Sequence, residues 1–81
     1  MDQHLTFFVD KGQTLDALEA ALAIARRGGL QLSSLQLRSG AADDAVYLCL
    51  QAGEPGLLEL FLARLHNVIG IAGIDVNTAS N

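Results

Sequence analysis

Residues 5–9, LTFFV, place Leu5, Phe7 and Val9 on one side of an extended chain and Thr6 and Phe8 on the other, the period of two that marks a half-buried strand. After the turn residues DKGQ the period changes. Leu15, Leu18, Leu22 and Ala25 recur at spacings of three and four, which predicts one apolar stripe on a helix that begins near Thr14. Thr14 is read as its N-cap, and Asp16 and Glu19 sit near its positive end. Arg26 and Arg27 sit near its negative end, a sufficient reason for two adjacent cations. Gly28 and Gly29 then stop the helix, because glycine accepts the left-handed conformation that commonly follows a last turn.

From Leu30 to Arg38 leucines alternate, lose step across Ser33-Ser34 and resume at Leu35 and Leu37. A strand with a β-bulge accounts for that shift, since one extra residue keeps leucines facing the core on both sides of it. SGAADDA is a polar turn, and VYLCL restores alternation in a third strand that pairs back as a hairpin. Pro55 suits the first turn of a second helix, whose stripe is Leu58, Phe61, Leu65 and Val68, with His66 in its last turn. IGIAGIDV reads as a closing strand that changes parity around Gly73, and NTASN as a polar tail.

The order β-α-β-β-α-β predicts an α+β, ferredoxin-like sandwich: a four-stranded antiparallel sheet with two helices on one face. The 81 residues form one domain, with a core over about 4–77 and a tail at 78–81. A domain this small buries only about 60% of its unfolded-chain surface, and its sheet has exposed edges, so a homodimer is expected. The face opposite the helices should carry Thr6, Phe8, Tyr47 and Cys49, which is apolar enough to suggest a covered surface and a partner interface.

Composition narrows the chemistry. A net charge of −4 with five Lys and Arg argues against nucleic acid, which needs basic groups gathered on one surface. No segment approaches the ~18 continuous apolar residues of a membrane span, and no basic region precedes the first apolar run, so the expected location is the cytoplasm. One cysteine excludes a disulfide framework, and without a paired soft ligand in DKGQ no metal site is expected. An RNA reader would need more aromatic residues than Tyr47 on the third strand. His4 and His66 lie far apart in sequence, and Asp43-Asp44 reads as turn chemistry, so no nucleophile, base and orienting group present themselves and no catalytic residue is expected.

Two stretches resemble a known family. RGGLQLSSL at 27–35 is similar to the pattern R-R-G-[FY]-N-I-x-S-L of acetolactate (acetohydroxyacid) synthase small subunits, which are ACT regulatory domains; Gly29, Leu32, Ser34 and Leu35 match it. LHNVIGIAGIDV at 65–76 is similar to the family's L-x-K-L-[IV]-D-V-x-x-V. The resemblance covers about residues 4–77. It implies a non-catalytic regulatory subunit that binds and activates the large catalytic subunit of acetolactate synthase in branched-chain amino-acid biosynthesis. Thiamine diphosphate, Mg and FAD would belong to that large subunit, and this chain would hold no cofactor.

The family's valine-binding members have a first loop N-x-x-G-x-L, in which a backbone amide receives the amino-acid carboxylate. Anchored on Leu15, this chain has Asp10 at the Asn position and Gln13 at the Gly position, with Gly12 one residue early and Gln31 in place of a second-strand Asn. By this resemblance the ligand-binding candidates are Asp10, Gly12, Gln13, Thr14 and Gln31. Gln13-Thr14-Leu15 resembles the E-T-L of the short isozyme II type, so a weak or absent response to an amino-acid effector is expected. The same residues read equally as a turn at Gly12 with Gln13 and Gln31 solvated. A stand-alone ACT amino-acid sensor with another partner is the main alternative. A small enzyme of the acylphosphatase type shares the fold but needs an anion-cradling loop with a nearby Arg.

Overall fold

The computed structural model describes residues 2–78. The chain runs β1 (Asp2–Asp10), α1 (Thr14–Arg27), β2 (Gln31–Ser39), β3 (Asp43–Gln51), α2 (Pro55–Leu65) and β4 (Ile71–Thr78). The strands form one antiparallel sheet in the order β2-β3-β1-β4, with both helices on one face, the ferredoxin-like fold expected from the element order. β1 and β3 are central and pair without interruption from Asp2–Gln51 to Asp10–Asp43. Leu5, Phe7 and Val9 of β1 and Val46, Leu48 and Leu50 of β3 form the sheet's contribution to the core, and Phe61 and Leu65 press on it from α2.

Each edge strand carries a parity shift. In β2, Leu32 opposes Leu50 and Ser34 opposes Cys49, so Ser33 is the extra residue. In β4, Asp75 opposes Thr6 and Ala72 opposes Phe8, which leaves one extra residue at Gly73-Ile74. Both shifts return apolar side chains to the helix face: Leu32, Leu35 and Leu37 lie across from Leu50, Leu48 and Val46, and Ile71 and Ile74 both pack on the core. Gly73 also lets the Phe8 ring approach closely, since a Cβ there would come within 2.9 Å of Phe8 Cδ2.

The corner between α1 and β2 is built from hydrogen bonds. The Leu30 N–H donates to the Ala25 carbonyl at 3.0 Å and the Gly29 N–H to the Arg26 carbonyl at 3.3 Å, the paired bonds of a Schellman ending. Gly29, at φ +78°, is the left-handed residue such an ending requires, and Leu30 behind it is buried.

The structure corrects several expectations. Of the expected stripe on α1, Ala25 is buried and Leu18 packs partly buried on the core, but Leu15 is 75% exposed and Leu22 lies at the margin, and the rest of the buried face is Thr14, Ala17 and Ala21. Two stripes of the same period, which meet at Ala25, run along this helix. The alanine stripe faces inward because the sheet beneath already carries Phe7, Leu5 and Leu48, and small side chains let the helix lie close over them. The β2 leucines face the helix side but are not covered, at 43%, 38% and 49% exposed for Leu32, Leu35 and Leu37. Ile69 is in the turn before β4 rather than in the strand, and is 82% exposed. Asp43 and Asp44 begin β3, so the turn is shorter than the polar run, and His66 lies just past the end of α2. Thr78 belongs to β4, opposite Gln3; the rest of the expected tail, 79–81, lies outside the described residues.

The choice of stripe is testable by denaturant unfolding. Ala21→Leu, forced into a closed helix-sheet contact, should cost about 1–3 kcal/mol. Leu15→Gln should change stability by no more than about 0.5 kcal/mol.

Candidate functional site

The loop between β1 and α1 is the first candidate. Asp10 closes β1: its N–H donates to the Gly70 carbonyl at 3.1 Å and its carbonyl accepts the Gln13 N–H at 3.0 Å. The loop is thereby fixed both to itself and to the turn before β4. Gly12 is the left-handed residue, at φ +95°, so the glycine one place earlier than in the family pattern makes this turn. Gln13 occupies the N-cap with no side-chain cap bond, and its side chain lies over Gly70, where any added Cβ would collide with the amide.

Thr14 is not the N-cap. It is the first residue of α1, and its hydroxyl donates to Asp44 Oδ2 at 2.7 Å. Lys11 Nζ donates to Asp44 Oδ1 at 3.0 Å and to Ser39 Oγ at 2.9 Å. Asp44 thus ties the first loop, the start of α1 and the end of β2 together. The Thr14 hydroxyl, and after it the Lys11 ammonium, hold the Asp44 carboxyl below the ordinary aspartate value. This clasp was hidden in the sequence. Its members are 28 to 33 residues apart, and Asp43-Asp44 carries the composition of a turn.

Beside the clasp is a depression of about 400 Å³, lined by Gly12, Thr14, Leu15, Asp16 and Asp44. Its surroundings are acidic. Asp10 stands directly opposite Asp43, Asp16 lies in the first turn of α1, and Lys11, the one cation of the loop, is committed to Asp44. This potential favours an ammonium over a carboxylate.

Gln31 is not brought to this loop within one chain. It opposes Gln51, at the end of the sheet where β1 begins, whereas Asp10 and Asp44 are at the other end, about 26 Å away at strand rise. With Gly29, Gln51 and Gly53 it borders a separate depression.

Thr6, Phe8, Tyr47 and Cys49 do come together. Thr6 opposes Tyr47, and Cys49 and Phe8 flank that pair on the face away from the helices. Tyr47 and Phe8 are 37% and 44% exposed, whereas Cys49 is buried and supplies little surface. A shallow depression of about 640 Å³ follows this face, with His4, Thr6, Tyr47, Cys49, Ser34 and Gln36 among its lining. His4 is on this open face and His66 is at the end of α2 on the other side of the sheet. Among the described residues, no group of three or more His, Cys, Asp or Glu side chains could hold a metal ion, and no helix is long and apolar enough to cross a membrane.

No family model matches the chain, and no curated protein matches its sequence. Its fold has many solved counterparts. The ACT domain from GTP pyrophosphokinase of Chlorobium tepidum superposes with a TM-score of 0.77 over 95% of this chain and 97% of that one, at 8% identity. An ACT domain protein from Streptococcus pneumoniae gives 0.70 over 98% and 90%, at 12% identity. The C-terminal domain of the MgtC protein from Mycobacterium tuberculosis gives 0.78 over 94% and 84%, at 13% identity. The architecture is therefore the βαββαβ fold of ACT domains, and at these identities the likeness is one of fold.

The clasp predicts a titration. A carboxyl depressed in the folded state stabilises that state above the unfolded aspartate pKa and loses this contribution as pH falls through the folded value. By carboxyl-detected NMR, Asp44 should titrate below the ordinary aspartate value, and both Thr14→Val and Lys11→Ala should move its midpoint upward. Asp44→Asn should remove this part of the acid dependence of stability.

Proposed function

We propose that this chain is a non-catalytic ACT regulatory subunit that binds and activates the large catalytic subunit of acetolactate synthase. The observation that carries the reading is the α1–β2 corner. Within the family-like run, Gly29 is the left-handed residue of the helix ending, and Ser34 and Leu35 resume the strand directly after the bulge. A pattern whose matching residues are those the corner needs is better support than the same letters in a loop.

Its mechanism is a population shift: a subunit that binds the active arrangement of the large subunit more tightly stabilises that arrangement. The open face with Thr6, Phe8 and Tyr47 is the surface proposed to dock. Thiamine diphosphate, Mg and FAD would be held by the large subunit, where the reaction takes place. An amino-acid effector would bind weakly or not at all, because acidic residues surround the first loop and Gln13 occupies the position of the family's open glycine. Asp10 would suit the ammonium of such an effector, but its charge opposes the carboxylate, a loss of about fivefold for one partly screened like-charge contact.

The second reading is a stand-alone ACT sensor that acts on another partner, favoured by the fold shared with an ACT domain of a GTP pyrophosphokinase. Reconstitution separates the two. Added to the isolated acetolactate synthase large subunit from the same cell, the chain should raise acetolactate formation and should form none alone; no response from any such subunit overturns the assignment. Isothermal titration with valine, leucine and isoleucine should show no micromolar binding, and Gln13→Gly should strengthen whatever binding exists. Micromolar binding to the unaltered chain, with no effect on the large subunit, would establish the sensor.

A further inference from the structure

We propose that the open face of the sheet stacks on the same face of a second copy, about a two-fold axis that runs parallel to the strands between β1 and β3, so that Phe8 of each copy seats on Ala45 of the other. The stack does not depend on the choice of catalytic partner. It occupies the face proposed above to dock on the large subunit, so the two occupants exclude each other and the stack is the form of the free chain.

The strand register lays the open face out in rows. One row is Arg38, Ala45, Phe8 and Ala72, and the next is Gln36, Tyr47, Thr6 and Asp75. In each row the two central strands set a large side chain beside a small one, and the order reverses between rows. Phe8 and Tyr47 rise from the face, 44% and 37% exposed, while Ala45 is buried although it lies outside the core beneath the helices. The relief is therefore a diagonal pair of knobs with a diagonal pair of hollows. Arg38 and Asp75 are exposed at opposite margins, and among the described residues neither is in an ion pair.

Charge decides the axis. Identical faces stack about a two-fold axis lying between them, either along the strands or across them. An axis across the strands would lay β2 on β2 and β4 on β4, so that Arg38 would face Arg38 and Asp75 would face Asp75. The axis along the strands lays β3 on β1 and β2 on β4, with every row level with itself. Phe8 then meets Ala45 and Tyr47 meets Thr6, each twice, so both knobs find hollows. Arg38 stands over Ala72 of the second copy, one row from its Asp75, about 7 Å at strand rise and within reach of a guanidinium. Four strands by about six residues is a small face, and an interface of that size belongs to the transient class. A contact of this strength leaves the face open to exchange of one occupant for another.

Charge variants and spin labels test the stack. Arg38→Glu and Asp75→Lys each set like charges together twice across the axis, so either variant alone should associate roughly tenfold more weakly than the unaltered chain. Mixed in equal amounts, the two variants should associate as the unaltered chain does, because each introduced charge then meets its opposite. Sedimentation equilibrium up to hundreds of micromolar reads both effects. An unaltered chain no heavier than the variants at every concentration overturns the proposal, and so does a mixture that associates no better than its components. Both sites are exposed, so the variants should keep the parent far-UV spectrum; where one does not, the labels decide. In a Cys49→Ala background, nitroxides at Ser34→Cys and, in a separate sample, at Ala72→Cys should each lie about 18 Å from their counterparts, three strand spacings across and one sheet separation through. Either label showing only a separation near 34 Å, seven strand spacings, marks an edge-to-edge contact and overturns the stack. These readouts use the chain alone, so their outcome is separate from that of reconstitution with the large subunit.

Discussion

A sheet covered by helices on one side only must return the apolar side chains of every strand to that side, and this constraint organises the molecule. The central strands meet it by plain alternation over nine residues each. The edge strands cannot alternate throughout and still present Leu32 with Leu35, or Ile71 with Ile74, to the helices. Each therefore inserts one residue. Bulges are tolerated at edges because the extra residue disturbs a single ladder, whereas in a central strand it would disturb two. The same insertions differentiate the edges: the one in β4 falls mid-strand, and the one in β2 falls near its start and leaves a long regular run.

The helix layer adds a second consequence. α1 approaches the sheet through alanines, and Phe61 and Leu65 of α2 complete the seal beside them. Two helices over four strands cover the two middle strands well and the margins poorly. Leu32, Leu35 and Leu37 are left half in water at one margin and Val76 at the other. The exposed edge is thus a result of how the core is closed.

Electrostatics give the first loop its character. The Asp44 clasp satisfies Lys11 and Thr14 and ties the loop to the β2–β3 hairpin, while Asp10, Asp16 and Asp43 remain around it. A loop so fixed and so acidic differs from one that offers open amides to an anion.

The sequence by itself determined the elements, their order, the fold and both parity shifts, because hydrophobic period and glycine placement act locally and leave their record in neighbouring residues. It also identified Thr6, Phe8, Tyr47 and Cys49 as one face, since alternation alone assigns them there. Only the tertiary structure decided which of two equally periodic stripes of α1 turns inward, for that depends on the volume already occupied on the sheet. Only it moved Thr14 from a cap to a hydrogen bond with Asp44, and separated Gln31 from the loop by the length of a strand. Those outcomes rest on distances between residues remote in sequence, and no local period encodes them.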